Sequence, residues 1–156
     1  MKTRFTSAVV AAMALGVAIP CAFADGFESK PEAVALDSDY AAGKKAIEAK
    51  DWNEAVARLS KAAGRDPKNA DIQNWLGYAN RNLGKYDAAF KYYERAIALD
   101  PRHRGAHEYI GETYLKVGKV AEAEKHLAAL RDICPAGCEE LTDLQQAIAA
   151  YRKAHA

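Results

Sequence analysis

Three prolines recur at an interval of 34 residues, and this period constrains the fold more than any other feature of the sequence. They are Pro67, Pro101 and Pro135. When the prolines are aligned, one glycine and one alanine also recur in every unit, namely Gly43, Gly77, Gly111, Ala55, Ala89 and Ala123. Several independent residues in one register indicate an internal repeat, so the chain is predicted to stack similar units.

Each unit is predicted to be a pair of helices. The glycine falls in the first helix and the alanine in the second, where both remove bulk so that the two backbones can approach closely. The proline ends the second helix, because it lacks an N–H and disfavours helical geometry in the residue before it. One pair cannot bury its outer face alone, so neighbouring units must cover it.

This pattern resembles the tetratricopeptide repeat, a helix-turn-helix unit with Trp, Leu-Gly, Tyr, Ala, Phe, Ala and Pro at set positions. Residues 75–101 match it best. The resemblance implies an all-α fold, a right-handed α-solenoid of helix-turn-helix units. Their predicted bounds are residues 36–69, 70–103 and 104–137.

The C-terminal segment, residues 138–154, continues the period as half a unit. Its apolar residues fall on one helical stripe, formed by Leu141, Leu144, Ile148 and Tyr151. A lone helix of this kind caps the exposed end of a solenoid. We therefore predict a repeat domain over residues 38–154 that ends in a capping helix.

The N-terminus has the pattern of a secretory signal peptide. Lys2 and Arg4 precede an apolar run at residues 8–19, and Ala22-Phe23-Ala24 fits a peptidase site, so cleavage is predicted after Ala24. An apolar run of this length is too short to span a bilayer, so no stable membrane insertion is expected. The mature protein is predicted to be periplasmic or secreted, of a bacterial type, with residues 25–37 as a flexible leader and Ser38 as the N-cap of a helix starting near Asp39.

Charge and cysteine content narrow the function classes. Loss of Lys2 and Arg4 lowers the basic side chains from 22 to 20, against 21 acidic ones. A near-neutral chain with no basic run argues against a nucleic-acid partner. Cys134 and Cys138 remain as an even pair, most simply a structural disulfide in an exported protein. The alternative is a thiol-redox or metal-handling accessory role for the same pair.

No set of residues in the sequence predicts catalysis. There is no Ser/His/Asp or Cys/His set, no glycine-rich phosphate loop and no spaced carboxylate pair, so we expect no enzyme and no cofactor. His103 and His107 are four residues apart, but His103 precedes the helix, so the two need not share a face. Both histidines are expected to be solvated, and no metal site is predicted.

The resemblance directs the functional prediction to a groove, because the first helices of such units line a concave surface that binds ligands. The positions that correspond to this surface are Tyr40, Lys44, Asn74, Tyr78, Arg81, Asn82, Glu108, Glu112 and Lys116. Asn and Arg side chains there are expected to bind the backbone of an extended peptide, with tyrosines as apolar anchors. The two-carboxylate clamp of cytosolic chaperone adaptors is absent, since its positions are Tyr40, Lys44, Trp75, Gly105 and Tyr109. The sequence thus predicts a non-catalytic scaffold whose partner is a protein or peptide.

Overall fold

The computed structural model describes residues 31–155, with side chains from residue 38 onward. Within that range the chain forms seven helices and no strand. They are α1 (Pro31–Glu48), α2 (Trp52–Arg65), α3 (Ala70–Asn82), α4 (Tyr86–Leu99), α5 (Arg104–Lys116), α6 (Val120–Ile133) and α7 (Glu139–Ala154). The predicted all-α solenoid is confirmed. The predicted signal peptide and leader residues 25–30 lie outside the described residues.

The first helix starts earlier than the sequence pattern predicts. We expected Ser38 to cap a helix beginning near Asp39, but α1 begins at Pro31, so residues 31–37 are helical and do not belong to a flexible leader. Proline is well suited to the first position of a helix, because its missing N–H needs no partner there. The following residues are rich in Glu, Ala and Leu, which are good helix formers, so the helix continues into the first repeat.

Turn and cap residues set the helix boundaries. The side chains of Asp51, Asn69 and His103 each accept a hydrogen bond from a backbone N–H of the helix that follows. Within the second and third units, the turn between helices contains Gly84 and Gly118, whose φ angles are +73° and +76°. Glycine adopts this left-handed conformation without steric cost, which explains the residue type at both turns.

The repeated glycines lie where helices touch. A Cβ added to Gly43 would lie 2.7 Å from Leu59 Cγ, and one added to Gly77 would lie 2.5 Å from Tyr93 Cε1. The third unit differs, because the nearest atoms to an added Cβ on Gly111 belong to Leu144 of α7. The capping helix therefore packs directly on the first helix of the last unit.

Successive helices contact one another along the chain, and α1, α3, α5 and α7 also contact in series. The odd-numbered helices therefore form one face of the solenoid, which is the arrangement that the groove prediction requires. The repeated alanines Ala55, Ala89 and Ala123 are fully buried between the helices of their own units. Residues that pack there support the fold and are not available to a ligand.

A disulfide joins the last repeat to the capping helix. Cys134 is the C-cap of α6 and Cys138 is the N-cap of α7, and their sulfurs are bonded at 2.09 Å. Leu144 and Ile148 of α7 are buried against α6 residues such as Leu127. The covalent link thus restrains a helix that is also held by apolar packing.

Removal of this link in the double variant Cys134→Ala and Cys138→Ala is expected to lower the free energy of unfolding by about 1 to 2 kcal/mol, because the closed loop is short. Urea unfolding of both proteins, with and without reductant, measures the loss. Reductant should destabilise the natural chain and leave the double variant unchanged. Equal stability of the two proteins under oxidising conditions would show that the disulfide does not hold α7.

Candidate functional site

An aromatic cluster forms the middle of the face built by the odd-numbered helices. It consists of Trp52, Trp75, Tyr78 and Tyr109. The ring centroids of Tyr78 lie 5.9 Å from Trp52, 5.7 Å from Trp75 and 4.9 Å from Tyr109. Trp75 is only half-buried and lines a cavity beside the cluster. Large, partly exposed rings of this kind can anchor a bound chain.

Tyr40 and Lys44 of α1 lie at the edge of this cluster. Tyr40 is partly buried against the core of the first units. The Nζ atom of Lys44 lies 3.1 Å from the centre of the Trp75 ring, a cation–π contact. Burial lowers the pKa of Lys44, although nearby Glu48 and Asp71 act in the opposite direction. The positive charge of Lys44 is therefore already in contact with the Trp75 ring.

The Arg81 side chain ties α3 to α5. Its guanidinium forms an ion pair with Glu112 and lies 5.0 Å from the Tyr78 ring centre and 5.4 Å from that of Tyr109. One Arg81 nitrogen thus bonds a partner within the chain, and binding of a peptide backbone by its other donors stays a prediction. Asn82 is exposed and donates from Nδ2 to the Tyr78 carbonyl at 2.8 Å.

Two cavities lie along α3, α5 and α7, and the Arg81–Glu112 ion pair lines the second of them. The turn before α5 also lines the first. The first has a volume of about 490 Å³, and we call it the acidic cavity because carboxylates dominate its wall. Those carboxylates are Asp71, Asp100, Glu108, Glu139, Glu140 and Asp143. The second cavity, of about 520 Å³, is lined by the predicted groove residues Arg81, Asn82, Glu112 and Lys116, together with Tyr151.

The deepest groups of the acidic cavity are Asn74 and Glu108, which occupy equivalent positions in successive units. Asn74 is 3% exposed and Glu108 is 8% exposed. Within the described part of the chain, Asn74 Oδ1 has no hydrogen-bond donor. Burial raises the pKa of Glu108 to about 8, helped by repulsion from Glu112, Asp143 and Glu140 and opposed by Arg81. We had expected both residues on the groove surface, and they are instead its buried floor.

Three basic side chains also line this cavity, but each has a partner. His103 Nε2 lies 3.2 Å from Asp71 Oδ1, and its Nδ1 accepts from the Ala106 N–H. Arg102 donates to the Ile133 carbonyl at 3.0 Å. Arg104 lies 3.5 Å from Glu140. Only the His103 and Arg104 contacts are with carboxylates, because Arg102 donates to a backbone carbonyl. Glu108 and Asp143 form no ion pair among residues 38–155.

His107 does not share a site with His103, and the expectation that it is solvated is wrong. Its side chain is 6% exposed and lies with Nδ1 3.0 Å from Nδ1 of His126. Its Nε2 donates to the Pro101 carbonyl at 3.1 Å. Burial lowers the pKa of His107, and it lowers that of His126 to about 4. The pair links α5 to α6, and local sequence patterns do not reveal it because the two residues are 19 positions apart.

The structure also bears on the predictions about metal binding, membrane insertion and the cysteine pair. Among the described residues, no group of three or more His, Cys, Asp and Glu side chains is placed to hold a metal ion. No helix between residues 31 and 155 has the length and apolar character needed to cross a bilayer. Cys134 and Cys138 line neither of the two cavities described above.

Parts of the chain are similar to known proteins. A stretch of 85 residues, 54% of the chain, is 27% identical to protein O-mannosyl-transferase Tmtc3 of Drosophila melanogaster, and it spans 9% of that protein. Among solved structures, the TPR2B domain of yeast Sti1, in a complex with an Hsp70 peptide, has a TM-score of 0.71 and 20% identity, covering 77% of this chain and 98% of that domain. The second TPR domain of human RPAP3, bound to the HSP70 peptide SGPTIEEVD, has a TM-score of 0.66 and 21% identity, covering 74% and 97%.

The family comparison agrees with the helix pattern. Tetratricopeptide repeats match residues 40–103 and, in a second overlapping match, residues 81–136. These matches cover all three helix pairs, from α1 to α6. The chain belongs to the tetratricopeptide repeat family.

Proposed function

We propose that this chain is a non-catalytic scaffold that binds a protein or peptide along the face formed by α3, α5 and α7. The observation that carries the proposal is the pair of cavities of about 490 and 520 Å³ on that face, with the half-buried rings of Trp75 and Tyr109 in the wall of the first. Such rings supply apolar anchors for an extended peptide, and the polar groups of both cavities fix its register. The peptides bound by the yeast Sti1 and human RPAP3 domains support the same use of a similar fold.

The proposal includes export. The charged start, the apolar run at residues 8–19 and the small residues before Asp25 support removal of residues 1–24 by a signal peptidase. In a Gram-negative host the mature chain would work in the periplasm, a compartment where the Cys134–Cys138 disulfide is stable. Mass spectrometry of the protein from a fractionated host tests this, because the mature chain must begin at Asp25 and lie outside the cytoplasmic fraction.

Photo-crosslinking tests the binding face. A benzoylphenylalanine at position 82 or 116, both exposed at the second cavity, is expected to capture a partner in living cells. The same residue at position 94, exposed on α4, is the matched control and should yield at most one tenth of that adduct. Equal capture from all three positions, or capture from position 94 alone, would remove the α3–α5–α7 face as the binding site.

A further inference from the structure

We propose that the acidic cavity receives the cationic side chain of an arginine or lysine in a peptide bound on the α3–α5–α7 face. The inference rests on the proposed function and names the chemistry of its partner. Three independent features of the cavity carry it: unpaired carboxylates, a buried acceptor that lacks a donor, and aromatic rings that already hold cations.

The first feature is the charge of the cavity wall. After the contacts of its three basic residues are assigned, Glu108 on α5 and Asp143 on α7 have no ion-pair partner within residues 38–155. Glu108 is buried and Asp143 is exposed, so the charge of an ionised Glu108 is the less screened of the two. Once the Glu108 carboxyl is ionised, a positive group in the cavity gains attraction from both side chains, whereas an acidic peptide is repelled.

The second feature is the buried floor. Asn74 Oδ1 is buried and accepts no hydrogen bond within the described part of the chain. Buried acceptors without donors are rare in folded proteins, because each costs free energy that a donor would recover. Glu108, on a residue that is 8% exposed, lines the same cavity. A guanidinium or ammonium group supplies several N–H donors at once: the Glu108 carboxylate accepts them directly, and Asn74 accepts one once its amide rotates to bring Oδ1 to the cavity.

The third feature is the aromatic wall. Trp75 and Tyr109 line the same cavity as Asn74 and Glu108. The Trp75 ring already holds the Lys44 ammonium at 3.1 Å, and the Tyr109 ring lies 5.4 Å from the Arg81 guanidinium. Rings beside carboxylates favour a flat, weakly hydrated cation, which makes arginine the better occupant.

The test uses three fluorescein-labelled peptides of nine residues that differ only in two central side chains, which are arginine, citrulline or glutamate. Citrulline has the shape of arginine without its charge. Fluorescence anisotropy with the mature chain is expected to give at least tenfold tighter binding of the arginine peptide than of the citrulline peptide, and no binding of the glutamate peptide. Equal affinity for arginine and citrulline, or no binding of the arginine peptide, overturns the inference.

Substitutions locate the bound charge. At pH 9, where the Glu108 carboxyl is ionised, Glu108→Gln is expected to weaken binding of the arginine peptide at least tenfold, and Asp143→Asn, at an exposed position, about threefold. Glu94→Gln changes the net charge equally on the far surface of α4 and should leave the affinity unchanged. If all three variants weaken binding alike, the peptide responds to overall charge and the cavity is not its site.

The pH dependence gives a readout that mere structural damage would not produce. Glu108 faces Arg81 on α3, Glu112 on its own helix, and Glu140 and Asp143 on α7. Because its carboxyl has a raised pKa, affinity for the arginine peptide should rise severalfold from pH 7 to 9 as the proton leaves, while the guanidinium stays charged. Glu108→Gln should bind with no such rise, and a rise that persists in that variant contradicts the assignment.

The two proposals fail separately. Partner capture at positions 82 and 116, together with equal binding of arginine and citrulline peptides, would keep the scaffold function and remove the cation site. Capture only from position 94 would remove the scaffold face. In that case tenfold selective binding of the arginine peptide, abolished by Glu108→Gln, would still establish the cavity as a cation site.

Discussion

Gly77→Ala is expected to lower the free energy of unfolding by about 3 kcal/mol, since overpacking of a rigid core costs this much or slightly less. The new methyl group would lie 2.5 to 2.9 Å from three ring carbons of Tyr93. Tyr93 cannot move aside, because it is fully buried and packs with Ala89 and Ile110. Urea unfolding followed by circular dichroism at 222 nm measures the change.

Gly64→Ala provides the matched control. Gly64 lies in α2, and no atom lies within 4 Å of a Cβ added there. The same substitution should therefore stabilise the chain by roughly 0.5 to 1 kcal/mol through helix propensity alone. Combining Gly77→Ala with Tyr93→Val should cost about 1 to 2 kcal/mol less than the sum of the single losses, because the valine makes room for the methyl. Additive losses would show that the two side chains do not meet.

The helices were predictable because a repeat places the same packing constraint in every unit. Glycine and proline act through the backbone of their own helix, so their effect can be read from the sequence without knowledge of distant contacts. The start of α1 was missed for a related reason. Our prediction relied on Ser38 as a cap, whereas Pro31 and the helix formers after it extend the same helix toward the N-terminus.

The groove was predictable as a face but not as a set of free side chains. Equivalent positions in the units place Asn74 and Glu108 in the same cavity, as the period requires. Which side chain is free depends on neighbours in the next unit, and the Arg81–Glu112 ion pair joins residues 31 positions apart. The acidic cavity also needs carboxylates from α7, which we had considered only as a cap. Its composition follows from the docking of α7 on α5, which local patterns do not encode.

Acidification is expected to destabilise the chain through the buried histidine pair, by roughly 2 to 3 kcal/mol between pH 7 and 4.5. His107 donates to the Pro101 carbonyl and presents its bare Nδ1 to His126, so protonation of both rings would break the contact between them. Burial lowers both pKa values, and repulsion from His107 helps to lower that of His126 to about 4. As the pH falls below about 6.5, these histidines take up protons in the unfolded chain before they do so in the folded chain. The part of the free energy of unfolding that depends on the neutral rings is present above that pH and is lost toward pH 4.

The double variant His107→Gln and His126→Gln separates this effect from the titration of carboxylates. It should be less stable than the natural chain at pH 7, because the packing of His126 on Tyr114 is altered, but its stability should fall less by pH 4.5. His155→Gln is the control, since His155 is exposed at the end of α7 and its removal should leave the slope unchanged. Urea unfolding at four pH values gives the slopes. A buried pair with lowered pKa values binds fewer protons in the folded chain than in the unfolded chain across this pH range, so its removal must reduce the slope. Parallel pH profiles for the natural chain and the double variant would therefore show that the histidine pair is not the group that titrates.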